Sequence, residues 1–200
     1  MTVVDWDDRP GDDLAAAVGA EWACLRRLTL GPGEPLHLDA EDRETVVWAL
    51  DRDAVMVRGP EDAERSVRAE GTMDVLVFAV DAPPAAPDAT PRPGTMIEPS
   101  ALEGERLIDG LTSITRRDVG GPVGAVGVAI ELVEITPGRR SLPVSDLDEV
   151  SVVLRGAGQV VVDGQEPWVA RGCVVGRGER YAAGPQGLRV LSFRERPRPA

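Results

Sequence analysis

The chain repeats itself. Pro32-Gly33 recurs as Pro137-Gly138, Glu44 as Glu149, the run AVMV (54–57) as QVVV (159–162) and Gly59 as Gly164, all at one offset of 105 residues. Further on the offset grows by ten, so that VLVF (75–78) meets VLSF (190–193). The second copy therefore carries about ten residues that the first lacks, and these fall within ARGCVVGRGERYAAG. A duplicated unit restricts the chain to folds in which one supersecondary pattern is built twice.

That pattern is β. RLTLGPG, ETVVWAL, AVMVRG, DVLVFAV, VAIELVEITPG, EVSVVLRG, QVVVDG and LRVLSF are short, rich in Val and Leu, and closed by turn formers. Helix is expected only in GDDLAAAVGAEW, capped by Asp12 or Asp13, and as a turn in PEDAERSV. The segment DAPPAAPDATPRPG (81–94) holds five prolines and cannot keep a strand ladder, so it reads as a linker or covering arm. The expected organisation is an N-terminal truncated repeat over 1–80, a Pro-rich arm over 81–110 and a C-terminal repeat over 111–200.

Charge and cysteine narrow the function. All 22 basic residues are arginine, and the net charge of −12 argues against nucleic acid or an anionic membrane as partner, since both need basic surface. Cys24 and Cys173 lie far apart and form no CxxC or Cys/His zinc spacing, so both are expected as reduced thiols in the core. The start MTVVDWDDRP lacks the basic and apolar regions of a signal peptide, and no apolar run nears the ~20 residues of a membrane span. A cytoplasmic protein is the expectation.

The second copy carries a recognisable spacing. Gly138 is followed by positions 144 and 146, then Glu149, then six residues to Gly156, and GCVVGRGERYAAG follows with Gly172, Gly176, Gly178, Tyr181 and Gly184. This resembles the two motifs of the cupin superfamily, G(x)5HxH(x)3–4E(x)6G and G(x)5PxG(x)2H(x)3N. Val144 and Asp146 stand at the two histidine positions, the gap to Glu149 is one residue short, and Gly176, Tyr181 and Gly184 replace the Pro, third His and Asn. The resemblance covers about 20–80 and 125–195. It implies an all-β fold of two cupin-like β-barrels (double-stranded β-helix, jelly-roll type), the first truncated, and a homodimer.

In the family the motif residues hold a divalent metal, commonly iron, manganese, nickel or zinc. Of the four ligand positions in the second repeat only Glu149 keeps its residue type. One carboxylate beside an Asp lacks the imidazoles that suit those ions, so that barrel is expected to work without metal or other cofactor. The first repeat contains the only histidine; His37, Asp39 and Glu44 match the motif counted from Gly31 and form a weaker alternative site for Fe or Mn.

Without metal, acid–base chemistry remains. Glu149 and Asp146 in an apolar pocket would resist joint ionisation, one serving as acid and the other as base, while Tyr181 donates to a developing oxyanion. Isomerisation, epimerisation, cyclisation or dehydration would suit this set. Arg139, Arg180, Val144, Ser151 and Trp168 are the candidate substrate contacts. Each has a structural counterpart: Asp146 exposed in a turn, Glu149 paired with an inward arginine such as Arg139, Arg155 or Arg180, Tyr181 closing the barrel, and Trp48, Trp168 and Cys173 in the core. Three readings stay open: a metal-independent enzyme, a non-catalytic cupin that binds a small ligand or supports a dimer, and a metal enzyme using His37.

Overall fold

The computed structural model describes residues 3–38, 43–59, 62, 66–81, 95–141, 149–178 and 180–196. The chain opens with β1 (Val3–Asp5) and a single helical turn, α1 (Leu14–Ala17), whose first amides bond the Asp13 carboxylate. The first repeat then supplies β2 (Ala23–Leu30), β3 (Pro35–His37), β4 (Arg43–Ala49), β5 (Ala54–Arg58), β6 (Ser66–Arg68) and β7 (Met73–Asp81). After a 3₁₀ turn at Pro99–Ala101, the second supplies β8 (Glu105–Asp109), β9 (Thr112–Asp118), β10 (Val128–Ile135), β11 (Glu149–Val161), β12 (Trp168–Ala170), β13 (Cys173–Gly176) and β14 (Arg180–Glu195).

Every pairing between these strands is antiparallel, as expected of the all-β reading. The first repeat is a small barrel wall of four strands, β2-β7-β4-β5, faced by the two-stranded β3-β6. The second is an eight-stranded sheet, β1-β13-β11-β14-β10-β9-β8 with β12 on β11, in which β11 and β14 run long enough to serve both walls. The expected helical turn in PEDAERSV is not found at Ser66 and Val67, which are strand; the rest of it, apart from Asp62, lies outside the described residues. Of the expected arm, 82–94 lies outside them too, while Ile97 exchanges backbone hydrogen bonds with Val55 and covers β5.

The duplication is visible in the strands. β2 and β10 are displaced by 105 residues at both ends, and each runs into a Pro-Gly turn whose glycine is left-handed, Gly33 at φ 76° and Gly138 at φ 68°. Phe78 opposes Leu25 as Phe193 opposes Ile130, and the two phenylalanines stack across the seam with centroids 4.0 Å apart. The seam core also takes Val46, Trp48, Val150 and Val152, so the repeats share one hydrophobic interior and each keeps a smaller one of its own.

The N-terminal segment serves both repeats: β1 joins the sheet of the second barrel, while α1 packs on β2, whose Leu25 amide donates to Asp13 at 3.0 Å. β1 pairs with β13, the Trp6 amide donates to the Gly172 carbonyl, and a Cβ on Gly176 would lie 2.4 Å from the Val18 carbonyl oxygen. The Trp6 ring carries the Arg27 guanidinium 5.0 Å from its centroid, tying this segment back to β2. Among the described residues no helix is long and apolar enough to cross a membrane.

Candidate functional site

Glu149 opens β11, and alternation along that strand sends Glu149, Ser151 and Val153 to one face while Val150 and Val152 enter the seam. β14 lies opposite in register, with Ser192 facing Ser151 and Arg194 facing Glu149. The result is a closed polar knot. The hydroxyls of Ser151 and Ser192 both donate to Glu149 Oε1, the latter at 2.8 Å, and Arg194 Nε donates to Oε2 at 3.2 Å.

Arg194 continues to Glu131, both of whose oxygens lie within reach of Arg116 Nη2, at 2.6 and 2.8 Å. Side-chain exposure along this chain of alternating charges runs 31% for Arg116, 21% for Glu131, 20% for Arg194 and 1% for Glu149. The buried carboxylate is therefore balanced by a guanidinium that reaches toward water. Among the described residues, the cavity adjoining Glu149, lined by Val18, Trp22, Gly176 and Arg177 among others, measures about 10 Å³, room for one water.

Tyr181 lies inside the second barrel among Val160, Val162, Val175 and Val190, and its amide donates to Ser141 Oγ at 2.9 Å. Its hydroxyl is buried near Ser151, whose Oγ is already committed to Glu149, and no well-formed hydrogen bond to it is found among the described residues. It fits because Gly178 has no side chain: a Cβ there would come within 3.0 Å of the phenol oxygen. Burial pushes the phenol well above its ordinary value and the Glu149 charge adds to this, with Ser151 acting weakly in the opposite sense.

The sign of the pH effect follows. The folded state holds the phenol neutral, so this contribution to stability is complete below the unfolded value of about 10 and is lost progressively as pH climbs from there toward the raised folded value. Because Tyr181 is the only tyrosine, the absorbance of phenolate reports on it alone. We expect no phenolate signal until the protein unfolds in alkali, with both changes at one midpoint; phenolate appearing before unfolding would show the hydroxyl to be accessible.

Several expectations need correction. The partner of Glu149 is Arg194, not Arg139, Arg155 or Arg180. Arg139 spends Nη1 on the Gly110 carbonyl at 3.2 Å. Arg180 is exposed and lines a groove of about 100 Å³ together with Arg140, Gln159, Glu166 and Tyr181, away from Glu149. Ser151 is consumed by Glu149, and Trp168 is 61% exposed on the outer surface, neither core nor barrel lining. Val144 and Asp146 lie outside the described residues. Cys24 and Cys173 are half-buried, and burial is the first cause that raises each thiol.

The equivalence of Glu44 and Glu149 also fails, by one residue. Val46 opposes Phe78 as Val150 opposes Phe193, so the matching offset in these strands is 104 and Thr45 is the counterpart of Glu149. A one-residue slip turns a strand's side chains to the other face. Glu44 accordingly faces the seam and accepts the amides of Val126 and Gly127 at 2.8 and 2.9 Å.

The donor set does not fit a metal of the kind the motif would hold. Glu149 is engaged on both oxygens, Tyr181 stands where a third imidazole would be needed, His37 is exposed on β3 while Glu44 is buried in the seam, and Asp39 lies outside the described residues. Among the described residues no three His, Cys, Asp or Glu side chains form a metal-sized group.

No family model matches the chain, and no curated protein does. Solved structures match it over nearly its whole length. The oxalate decarboxylase of Bacillus subtilis superposes with a TM-score of 0.69 at 11% identity, covering 100% of this chain and 78% of that one. A putative glyoxylate-induced protein from Pseudomonas aeruginosa gives 0.67 at 16%, covering 90% and 76%. An IolB-like protein from Salmonella typhimurium gives 0.66 at 15%, covering 98% and 93%. The fold is thus the two-barrel cupin fold, and at these identities the likeness extends to fold alone.

Proposed function

We propose that this chain is a cupin-fold protein that binds a small organic molecule without transforming it, the carboxylate of its second barrel having become part of the scaffold. One observation carries this reading: both oxygens of Glu149 are satisfied from within the protein, by two serines and Arg194. A general base needs an oxygen within reach of a substrate proton, and a general acid needs a proton to give. Glu149 offers neither, and the small cavity it lines among the described residues has room for one water.

A metal-independent acid–base enzyme is the second reading, favoured by the buried hydroxyl of Tyr181, which makes no well-formed hydrogen bond among the described residues. A buried donor without an acceptor is costly unless something else supplies one. Tyr181→Phe separates the two readings. On the scaffold reading the variant loses only an unsatisfied group and gains about 1 kcal/mol of stability, while thermal shifts induced by compounds from a screen of small organic acids persist. Turnover of a bound compound by the native chain, abolished in Tyr181→Phe with the compound still bound, would establish the enzyme.

A further inference from the structure

We infer that the cleft where β11 and β14 bend together is a binding site for a small organic dianion, a dicarboxylate or a phosphate monoester. The register of these strands shifts between Val153 and Arg155 and again between Gly156 and Gly158. Gly156 and Gly187 are both left-handed there, at φ 82° and 76°. Bends of this kind re-aim the side chains beside them. Here they open a cleft of about 300 Å³ in which Arg155, Arg189, Glu134 and Gln186 converge, at the low end of the range for small-molecule pockets.

Arg155 and Arg189 are direct cross-strand partners, an arrangement in which like charges repel. Arg189 is compensated in part: Asp53 of the first repeat pairs with Nη2 at 2.6 Å, and Glu134 lies 3.5 Å from Nε. The second contact is too long to satisfy the Nε hydrogen, which is buried without a hydrogen bond. Glu134 is in turn shared with Arg117 at 2.5 Å. Arg155 is exposed and makes no hydrogen bond or ion pair among the described residues.

Three guanidinium groups thus face two carboxylates, and the surplus charge sits on Arg155, in a protein whose net charge is −12. A concave site with one uncompensated guanidinium, a second with an unsatisfied N–H and an amide alongside offers what a planar or tetrahedral oxyanion takes up. The backbone of Asp53 supports the arrangement: it is left-handed at φ 48° in the turn between β4 and β5, where its carboxylate reaches across the seam to Arg189. The cleft is lined by the second repeat, and the first contributes the carboxylate that fixes Arg189.

This inference rests on the ligand-binding reading for the class of molecule, and not on the role of Glu149. Isothermal titration of the full chain with inorganic phosphate and, separately, with succinate tests it, with ionic strength held constant by chloride. We expect saturable binding of at least one probe, weakened about tenfold or more in Arg155→Gln. The probe that binds more tightly assigns the ligand to phosphate esters or dicarboxylates. Arg155 is exposed, so the variant should keep the native circular dichroism spectrum. Absence of saturable binding with both probes, or equal affinity in the native chain and Arg155→Gln, would overturn the site. The stability of Tyr181→Phe is unaffected by either result, so the two readings fail separately.

Discussion

Gly156→Ala is expected to destabilise the protein by about 4 kcal/mol or more, in the range reserved for a few structural mechanisms. Two of them coincide here. The backbone at Gly156 is left-handed, which costs a residue with a Cβ roughly 1–2 kcal/mol. The added carbon would also lie 2.1 Å from the carbonyl oxygen of Gly187, a contact between two backbones that no rotamer change relieves. At about 2–4 °C per kcal/mol for a chain of this size, the melting temperature should fall by roughly 8–16 °C. Gly138→Ala is the control, since Gly138 is left-handed too but its Cβ would meet nothing within 4 Å. It should cost only about 1–2 kcal/mol. Equal losses in the two variants would mean that β14 moves aside and that the close approach is not structural.

Glu149→Ala comes second, with an expected loss of about 3 kcal/mol, the lower end for breaking a buried ion pair. The lower end applies because Arg194 retains Glu131 and reaches toward solvent, while Ser151 and Ser192 can bond to each other across 3.0 Å. Denaturant unfolding of Glu149→Ala, Arg194→Ala and the double variant would measure the coupling directly. The double variant should lose distinctly less than the two single losses combined. Strict additivity would show that the pair does not act as a unit. A Glu149→Gln variant of native stability that had lost a measurable activity would return Glu149 to catalysis.

The fold was legible in this sequence at the level of strands and turns. The Pro-Gly turns at 32–33 and 137–138 mark the ends of equivalent strands, and Asp163-Gly164 is the left-handed pair of a tight hairpin, with Asp163 at φ 49° and Gly164 at φ 72°. The one-residue slip that separates Glu44 from Glu149 was less legible. Its only trace was the short gap before Glu149, and alternation turns that single residue into opposite faces. Arg194 escaped notice because sequence reasoning looked for a partner in neighbouring loops, whereas β14 delivers it from 45 residues away. The spacing Ser192-x-Arg194 was the available signal: two polar residues of one parity at the end of an apolar strand. Nothing local marked Trp168 as exposed, because that depends on β12 being an outer addition to β11.

The pairing of β1 with β13 has a kinetic consequence. Val3 is synthesised long before Val175, its strand partner, and everything between them must first take shape. Contacts of such sequence separation close late, because the loop entropy is lost before the contact rewards it. On the ribosome α1 can settle on β2 early, while β1 has no strand partner yet and the Trp6 amide waits for Gly172 to emerge. The repeats should not assemble as two finished halves joined at the end: β1, which precedes the first repeat, completes the barrel of the second.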